Sequence, residues 1–421
     1  MRFKPFQWLL ATTLLLMASV SGWAQPALVG EEFQVNQNKD SRQLEPVVAF
    51  SPSGQALIVW ENDIHGIRGR FYDRNGSPTS AELNLVPNRE LPTLPGAGEV
   101  LIRKEPDLVY LPNGEFLVFW TEEREYLSVS YFYQYLKILE QDVRGQRFSA
   151  TGERLGESFL VSETTAGFQR RPKASLRAGG VIVAWEEGST TRISLSVHAR
   201  LLTRRGEAQG SELRVDSSRP AQVVRSLALA AAPSGETLIA WEADQAGGPN
   251  VLARIIGRDG APLGTPFVAN PSTLGRQRRP AVLTTRDGGF LVAWQSYVAD
   301  TPVHGIVGQF YSAAGARTGS EFQISRGLGE VQISPALALL PSGNIVVTWM
   351  DWVGTLPLGL YTVTIDPAGR RLGDELAINQ DRLYPQYKTS VAANAQGDIL
   401  AVWEGRIQRG RAIAARRLTD D

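Results

Sequence analysis

Seven tryptophans each follow a glycine by the same six residues: Gly54 and Trp60, Gly114 and Trp120, Gly179 and Trp185, Gly235 and Trp241, Gly288 and Trp294, Gly343 and Trp349, Gly397 and Trp403. The Trp-to-Trp steps run from 53 to 65 residues. A unit of that size, repeated without a break, means a chain built from one supersecondary element that buries its apolar face against the next copy. The spacing has a local cause. Glycine supplies a permissive turn backbone. Six residues later, an even number in a strand of period two, the indole lies on a fixed face of the sheet.

Residues 280–325 show the unit in full, PAVLTTRDGGFLVAWQSYVADTPVHGIVGQFYSAAGARTGSEFQIS. PAVLTT, FLVAWQ, HGIVGQFYS and SEFQIS are strand-like runs bounded by turn residues, as in an antiparallel meander. The fold expected is all-β, a seven-bladed β-propeller of four-stranded antiparallel blades with the tryptophans between blades. The last unit stops after its third strand, AIAARRL. GEEFQVN at Gly30 to Asn36 matches the fourth strands GSEFQIS, GDELAIN and GSELRVD, so the N-terminal strand is expected to complete the last blade and close the ring.

The unit resembles the Gly/Trp repeats of bacterial exported proteins, a P-x-V-A strand followed by G-G-F-x-V-A-W, and the resemblance covers nearly all of the chain after its first residues. It implies a seven-bladed propeller and no particular activity, since one fold hosts many functions. The Gly-His and Trp-Asp signature of WD40 blades is missing. Sialidase-type Asp boxes place Gly three residues before Trp rather than six. The tryptophan-docking pattern of quinoproteins is not matched either.

Residues 1–24, with Arg2 and Lys4 ahead of an apolar run from about Trp8 to Val20 and small residues Gly22 and Ala24, read as a secretory signal peptide. The run is shorter than the roughly 20 apolar residues of a membrane span. The expected organisation is one propeller domain over 25–421, in the periplasm or secreted, with no membrane span. There is no cysteine, hence no disulfide or thiolate metal site. Without Arg2 and Lys4 the chain carries 41 basic against 43 acidic residues, which offers no field for nucleic acid.

Chemistry is sparse. On the seven inner strands, each taken to begin near its proline, the charged residues are Asp107, Lys173 and Arg177. Paired carboxylates for glycoside hydrolysis are not visible there. The three histidines, His65, His198 and His304, are expected to be loop residues rather than a metal site. No cofactor is expected. Glu61, Glu186, Glu242 and Glu404 each follow a repeat Trp, with basic residues including Arg170, Arg171, Arg278 and Arg279 at the start of the paired inner strand. These are read as partly exposed ion pairs at the rim or, more sharply, as a basic mouth for a carboxylated or sulfated ligand.

The repeat breaks its own rule in the second unit, where both connections on one face are longer than elsewhere, and variable loops on a rigid scaffold carry function. The insertion at 123–141 holds Tyr126, Tyr131, Tyr133 and Tyr135, and Trp352 in the sixth unit lies on the same expected face. These aromatics with the four arginines form the expected contact set of a non-enzymatic binding module whose partner is a protein or a glycan. The alternative is a glycan-binding or carbohydrate-active protein whose carboxylates, Glu122, Glu123 and Glu125, come from the rim.

Overall fold

The computed structural model describes residues 26–420 apart from 92–96, 130–133, 190–192, 217–221, 246, 299–303, 327–330, 354–355, 381–385 and 408–409. Among the described residues regular secondary structure is entirely β-strand, and no helix is long and apolar enough to cross a membrane. The strands form six sheets. In the first, Gln43–Phe50, Ala56–Asn62, Gly66–Tyr72 and Leu83–Val86 lie side by side, each antiparallel to the next. Four further sheets are four-stranded in the same way. The sixth has nine strands between Arg89 and Arg214, and among the described residues its two halves are joined by strand pairing only at the parallel pair Phe168–Gln141.

The first strands of successive repeats touch around a closed circle. It runs from Gln43–Phe50 through Ala97–Tyr110, Phe168–Arg177, Val224–Ala231, Arg276–Thr284 and Val331–Leu339 to Tyr387–Ala393, and back to the start. The result is a propeller-like all-β fold. The N-terminal strand Ala27–Gln34 pairs antiparallel with Gly410–Thr419, from Ala27–Thr419 to Gln34–Ala414, so the two ends of the chain share one sheet, as the GEEFQVN match predicts.

The repeat motif works as its spacing suggests. All seven motif glycines have φ between 83° and 109°, the left-handed region that glycine occupies freely. Gly54 N–H closes on Ser51 O at 2.9 Å, the tight turn of a hairpin. The seven tryptophans are no more than 1 % exposed. Each sits in a hydrophobic cluster shared between its own repeat and the one before it: Trp294 packs on Leu238, Ala240, Ala253 and Ile255 of the preceding sheet, and Trp60 on Val402, Ile413 and Ala415 of the last. The indole N–H of Trp60 donates to Gln43 Oε1 at 2.7 Å and that of Trp294 to Gln277 Oε1 at 2.9 Å. Trp294→Ala opens a cavity between two sheets and leaves Gln277 Oε1 without its indole donor. It is expected to cost about 3–5 kcal/mol, read from the urea midpoint at unchanged m-value.

Candidate functional site

Each first strand begins with a kink that sequence pattern did not reveal. Glu45, Glu105, Arg171, Ser226, Arg279, Ser334 and Lys388 all have φ between 46° and 55°, a conformation that costs a non-glycine residue of order 1 kcal/mol or more. They occupy equivalent places, and the pairing register slips at each, as between Leu44 and Val47 or Arg278 and Ala281. Five of the seven precede proline, which disfavours the right-handed helical alternative.

In three of the repeats the residue after the preceding repeat's Trp holds the kink. Glu404 Oε1 accepts Glu45 N–H at 2.8 Å, Glu61 Oε2 accepts Glu105 N–H at 3.0 Å, and Thr121 Oγ1 accepts Arg171 N–H at 2.9 Å. The expected ion pairs do form, Glu186 with Arg170 and Arg171 and Glu242 with Arg225 and Arg278, but the glutamates lie deeper than a rim position. Glu61, Glu186, Glu242 and Glu404 are buried, 7 % exposed at most, and Glu61 and Glu404 each cap a strained backbone N–H in the next repeat. Burial pushes Glu61 up to about 8, with the nearby Glu105 and Glu45 charges adding to it and the Glu105 N–H opposing.

Between the ordinary carboxylate range and about 8 the folded chain keeps a proton on Glu61 that the unfolded chain has released, so stability falls as pH rises through that window. Glu61→Gln keeps an acceptor for Glu105 N–H and abolishes this dependence. The variant is expected to melt a few °C above the wild type at about pH 8.5 and level with it at about pH 4. Equal melting temperatures at the higher pH would show that Glu61 is not held protonated.

The kinked residues form a ring at the end of the sheets where the variable connections emerge. Neighbours touch across repeats: Lys388 Nζ lies 3.0 Å from Glu45 Oε1, and Arg171 Nε 3.1 Å from Glu105 Oε1. Deeper on the inner strands Lys173 Nζ is 3.4 Å from Asp107, which also accepts Ala174 N–H at 2.7 Å, while Arg177 donates to the Gly257 and Arg258 carbonyls. The three charges expected on the inner strands are thus engaged in holding repeats together.

The second repeat extends beyond the ring. Strands Ala97–Tyr110, Phe116–Val129 and Gln134–Phe148 are 14, 14 and 15 residues long, where other strands have 10 or fewer. Alternation sorts the acidic residues of this hairpin onto two faces. Glu122 pairs with Arg103 at 2.9 Å and Arg144 at 3.6 Å, and Arg124 with Glu140 at 3.2 Å.

Glu123 and Glu125 share the other face, toward the third repeat. The Lys104 ammonium and the Gln141 amide both hydrogen-bond Glu123, and Lys104 lies 3.8 Å from Glu125. The two carboxyls lie near enough for each to set the ionisation of the other. Burial, the hydrogen bond to Glu123 and its negative charge push Glu125 up to about 7. Burial opposes ionisation of Glu123 too, but Glu125, Lys104 and Gln141 outweigh it and hold Glu123 below the usual carboxylate value. Two neighbouring carboxyls with separated protonation are the arrangement that assigns acid and base roles.

Of the expected contact residues, Arg170 and Arg171 join this region. Arg170 is buried against Ser194 Oγ at 3.0 Å, and Arg171 bridges Glu105 and Glu186, each at 3.1 Å. Arg278 and Arg279 sit in the fifth repeat, Arg278 Nε at 3.5 Å from Glu242. Since Glu45 and Glu105 interleave with the cations, the mouth is mixed in charge rather than uniformly basic. Tyr126 is half-buried opposite Glu99 and Lys137 in the hairpin, and Tyr135 lies opposite Ser128 in the backbone register. Tyr131 and Tyr133 lie outside the described residues. Trp352 packs on Tyr387 with ring centroids 6.0 Å apart, within the core between the last two repeats, so it is not brought to the hairpin.

His198 is not a loop residue, as expected from sequence, but a half-buried member of the strand Ser196–Leu202. Its Nδ1 lies 2.5 Å from Glu212 and 3.7 Å from Glu187, and the three offer donors within 4.8 Å of one another. The repeat explains most of this cluster. His198 stands opposite Trp185 as Arg68 stands opposite Trp60, and Arg68 faces Glu82 at 3.8 Å in the same way. Glu212 and Glu82 each also accept a backbone N–H from the adjoining repeat, Glu163 at 2.9 Å and Gln37 at 2.8 Å. Only Glu187 is additional to that repeated pair.

No family model matches the chain. No curated protein matches it either. Solved structures do. A protein of unknown function from Dyadobacter fermentans aligns over 95 % of this chain and 100 % of its own, with 11 % identity and a TM-score of 0.55. An α-L-arabinanase of Penicillium chrysogenum bound to arabinobiose covers 94 % and 98 % with 11 % identity and a TM-score of 0.46. An α-L-arabinofuranosidase of Fusarium graminearum with an iminosugar inhibitor covers 93 % and 97 % with 13 % identity and a TM-score of 0.46. Such distant likeness shows the fold alone, and the activity has to be argued from the chain's own residues.

The expectation of a non-enzymatic protein-binding module is corrected at this point. The hairpin sets half-buried Glu125, pushed up to about 7, beside buried Glu123, held below the usual carboxylate value, a pairing of acid groups that a bare contact surface does not call for. The alternative with rim carboxylates, Glu123 and Glu125 in particular, replaces that expectation.

Proposed function

We propose that this protein is an exported, seven-bladed propeller that acts on carbohydrate through the acid pair of its extended hairpin. Counting seven blades treats the nine-stranded sheet as two blades joined by the single Phe168–Gln141 pair. The seven equivalent kinks and the circle of first strands support that count. The signal-like first 24 residues support export to the periplasm or beyond.

The observation that carries the functional reading is the Glu123–Glu125 pair beside Lys104. A carboxyl that is half protonated near pH 7 donates and recovers a proton at physiological pH, as protonation of a departing sugar oxygen requires. Two carboxyls side by side on one strand and sharing Lys104 do not flank a glycosidic bond as an acid and a nucleophile or base must. Glu123 therefore sets the protonation of Glu125 instead of facing it across the sugar. Arg171 and Glu105, paired with each other and partly exposed at the ring, are polar groups that a sugar hydroxyl can also reach.

The test is polysaccharide cleavage by the mature chain, followed by reducing-end release and by absorbance of unsaturated products, with Glu125→Gln as the comparison. Cleavage that survives the substitution, or a protein that neither cleaves nor retains any glycan of a broad panel, refutes the reading.

A further inference from the structure

We propose that the mouth of the ring recognises a sugar-borne anion through Arg279, so that the carbohydrate is an acidic polysaccharide carrying uronate carboxylates or sulfate esters. This rests on the carbohydrate reading and adds the substrate class.

The seven kinked positions hold two anions, Glu45 and Glu105, three cations, Arg171, Arg279 and Lys388, and the neutral Ser226 and Ser334. Lys388 is paired with Glu45 at 3.0 Å and Arg171 with Glu105 at 3.1 Å. Arg279 is the cation left over. Its neighbours around the ring are Ser226 and Ser334, which carry no charge, and it has no ion pair among the described residues while being exposed.

The carboxylate facing this part of the ring, Glu242, is already shared between Arg278 at 3.5 Å and Arg225 at 3.8 Å, and Arg225 also holds Asp244 at 3.1 Å. Three guanidinium groups therefore meet two carboxylates, with exposed Arg276 on the same strand adding further positive charge. Every other charged member of the ring is neutralised by its neighbour, so this arc is where a ligand anion gains most. A guanidinium offers two parallel N–H donors to a planar carboxylate or to two sulfate oxygens. The hydroxyls of a neutral sugar accept from the same donors but bring no charge to balance the guanidinium. The kinked backbone fixes Cα and Cβ of Arg279 at the mouth, so less freedom is lost on binding than for a loop arginine.

Retardation in native gels and titration calorimetry with polygalacturonate, dextran sulfate and neutral dextran test the idea, on wild type, Arg279→Ala, Arg279→Lys and Arg276→Ala. The expected result is retention by an acidic polymer over dextran, weakened about tenfold or more in Arg279→Ala, recovered in part by Arg279→Lys, and changed less than about twofold by Arg276→Ala. Polygalacturonate without dextran sulfate identifies a carboxylate ligand, and the converse a sulfate. Equal losses in Arg279→Ala and Arg276→Ala overturn the assignment to Arg279, leaving diffuse charge. Equal binding of acidic and neutral polymers overturns the substrate class but leaves a glycan-active protein. Failure to bind any glycan removes both readings.

Discussion

A chain lacking residues 25–38 is expected to lose cooperative folding, or to melt more than about 10 °C below the intact protein. The deleted segment supplies the outer strand of the last sheet, paired from Ala27 to Gln34 with Gly410–Thr419. Beyond the strand, Val35 N–H donates to Ile413 O at 2.8 Å and Asn36 Oδ1 accepts Ile413 N–H at 2.9 Å. Val35 O accepts from Arg70 Nη1 at 2.9 Å, which ties the last repeat to the first.

Val35 is fully buried, and Phe33 packs on Tyr72 with centroids 5.5 Å apart. Burial of these side chains at about 1.5–3 kcal/mol each, with several hydrogen bonds at about 1 kcal/mol each, approaches the whole stability of an ordinary domain, about 5–15 kcal/mol. The cut also bares the Gly410–Thr419 edge, which invites association with other chains. Thermal melting with light scattering reads both effects, and a synthetic 25–38 peptide is expected to restore the transition in trans. A truncated chain with the parent's melting temperature would disprove closure by the N-terminus.

Closure was legible because it depends on local pattern, a fourth-strand motif out of place at one end and lacking at the other. The Gly–Trp spacing was legible for the same reason: a left-handed turn and a large buried ring each demand one residue type. The kinked ring was not. Its members are Glu, Glu, Arg, Ser, Arg, Ser and Lys, because what they share is a backbone conformation stabilised by a residue some 40 positions away, as Glu61 holds Glu105. Five X-Pro steps at equivalent places were the available signal. Taking the inner strands to begin at the proline hid the residues just before it.

The hairpin was half legible. Its extra length and its acidic residues stood out, yet Glu122, Glu123 and Glu125 read as one group, whereas alternation puts Glu122 against Arg103 and leaves Glu123 and Glu125 together. The repeated glutamates after Trp looked like rim charges because sequence spacing gives no depth. Glu61 and Glu404 go inward to cap a strained N–H of the next repeat, and Glu186 to meet Arg171 and Ser194.

Glu125→Gln is expected to lower kcat/KM on the cleaved polysaccharide by about 10²–10⁴-fold, the usual contribution of a positioned proton donor, with the melting temperature near that of the wild type. As the acid, Glu125 must be protonated, so wild-type activity falls as pH rises through about 7. The position of that limb is itself a prediction, because the causes of the shift have known signs. Glu123→Gln removes the negative charge that helps hold the proton on Glu125, so the limb moves to lower pH. Lys104→Met removes the positive charge that opposes protonation, so the limb moves to higher pH. A structural ion pair would lose stability in both variants and move neither limb. Opposite displacements in the two pH–rate profiles separate an acid pair at work from a salt bridge that merely holds the hairpin, and a limb that stays in place in both variants refutes Glu125 as the donor.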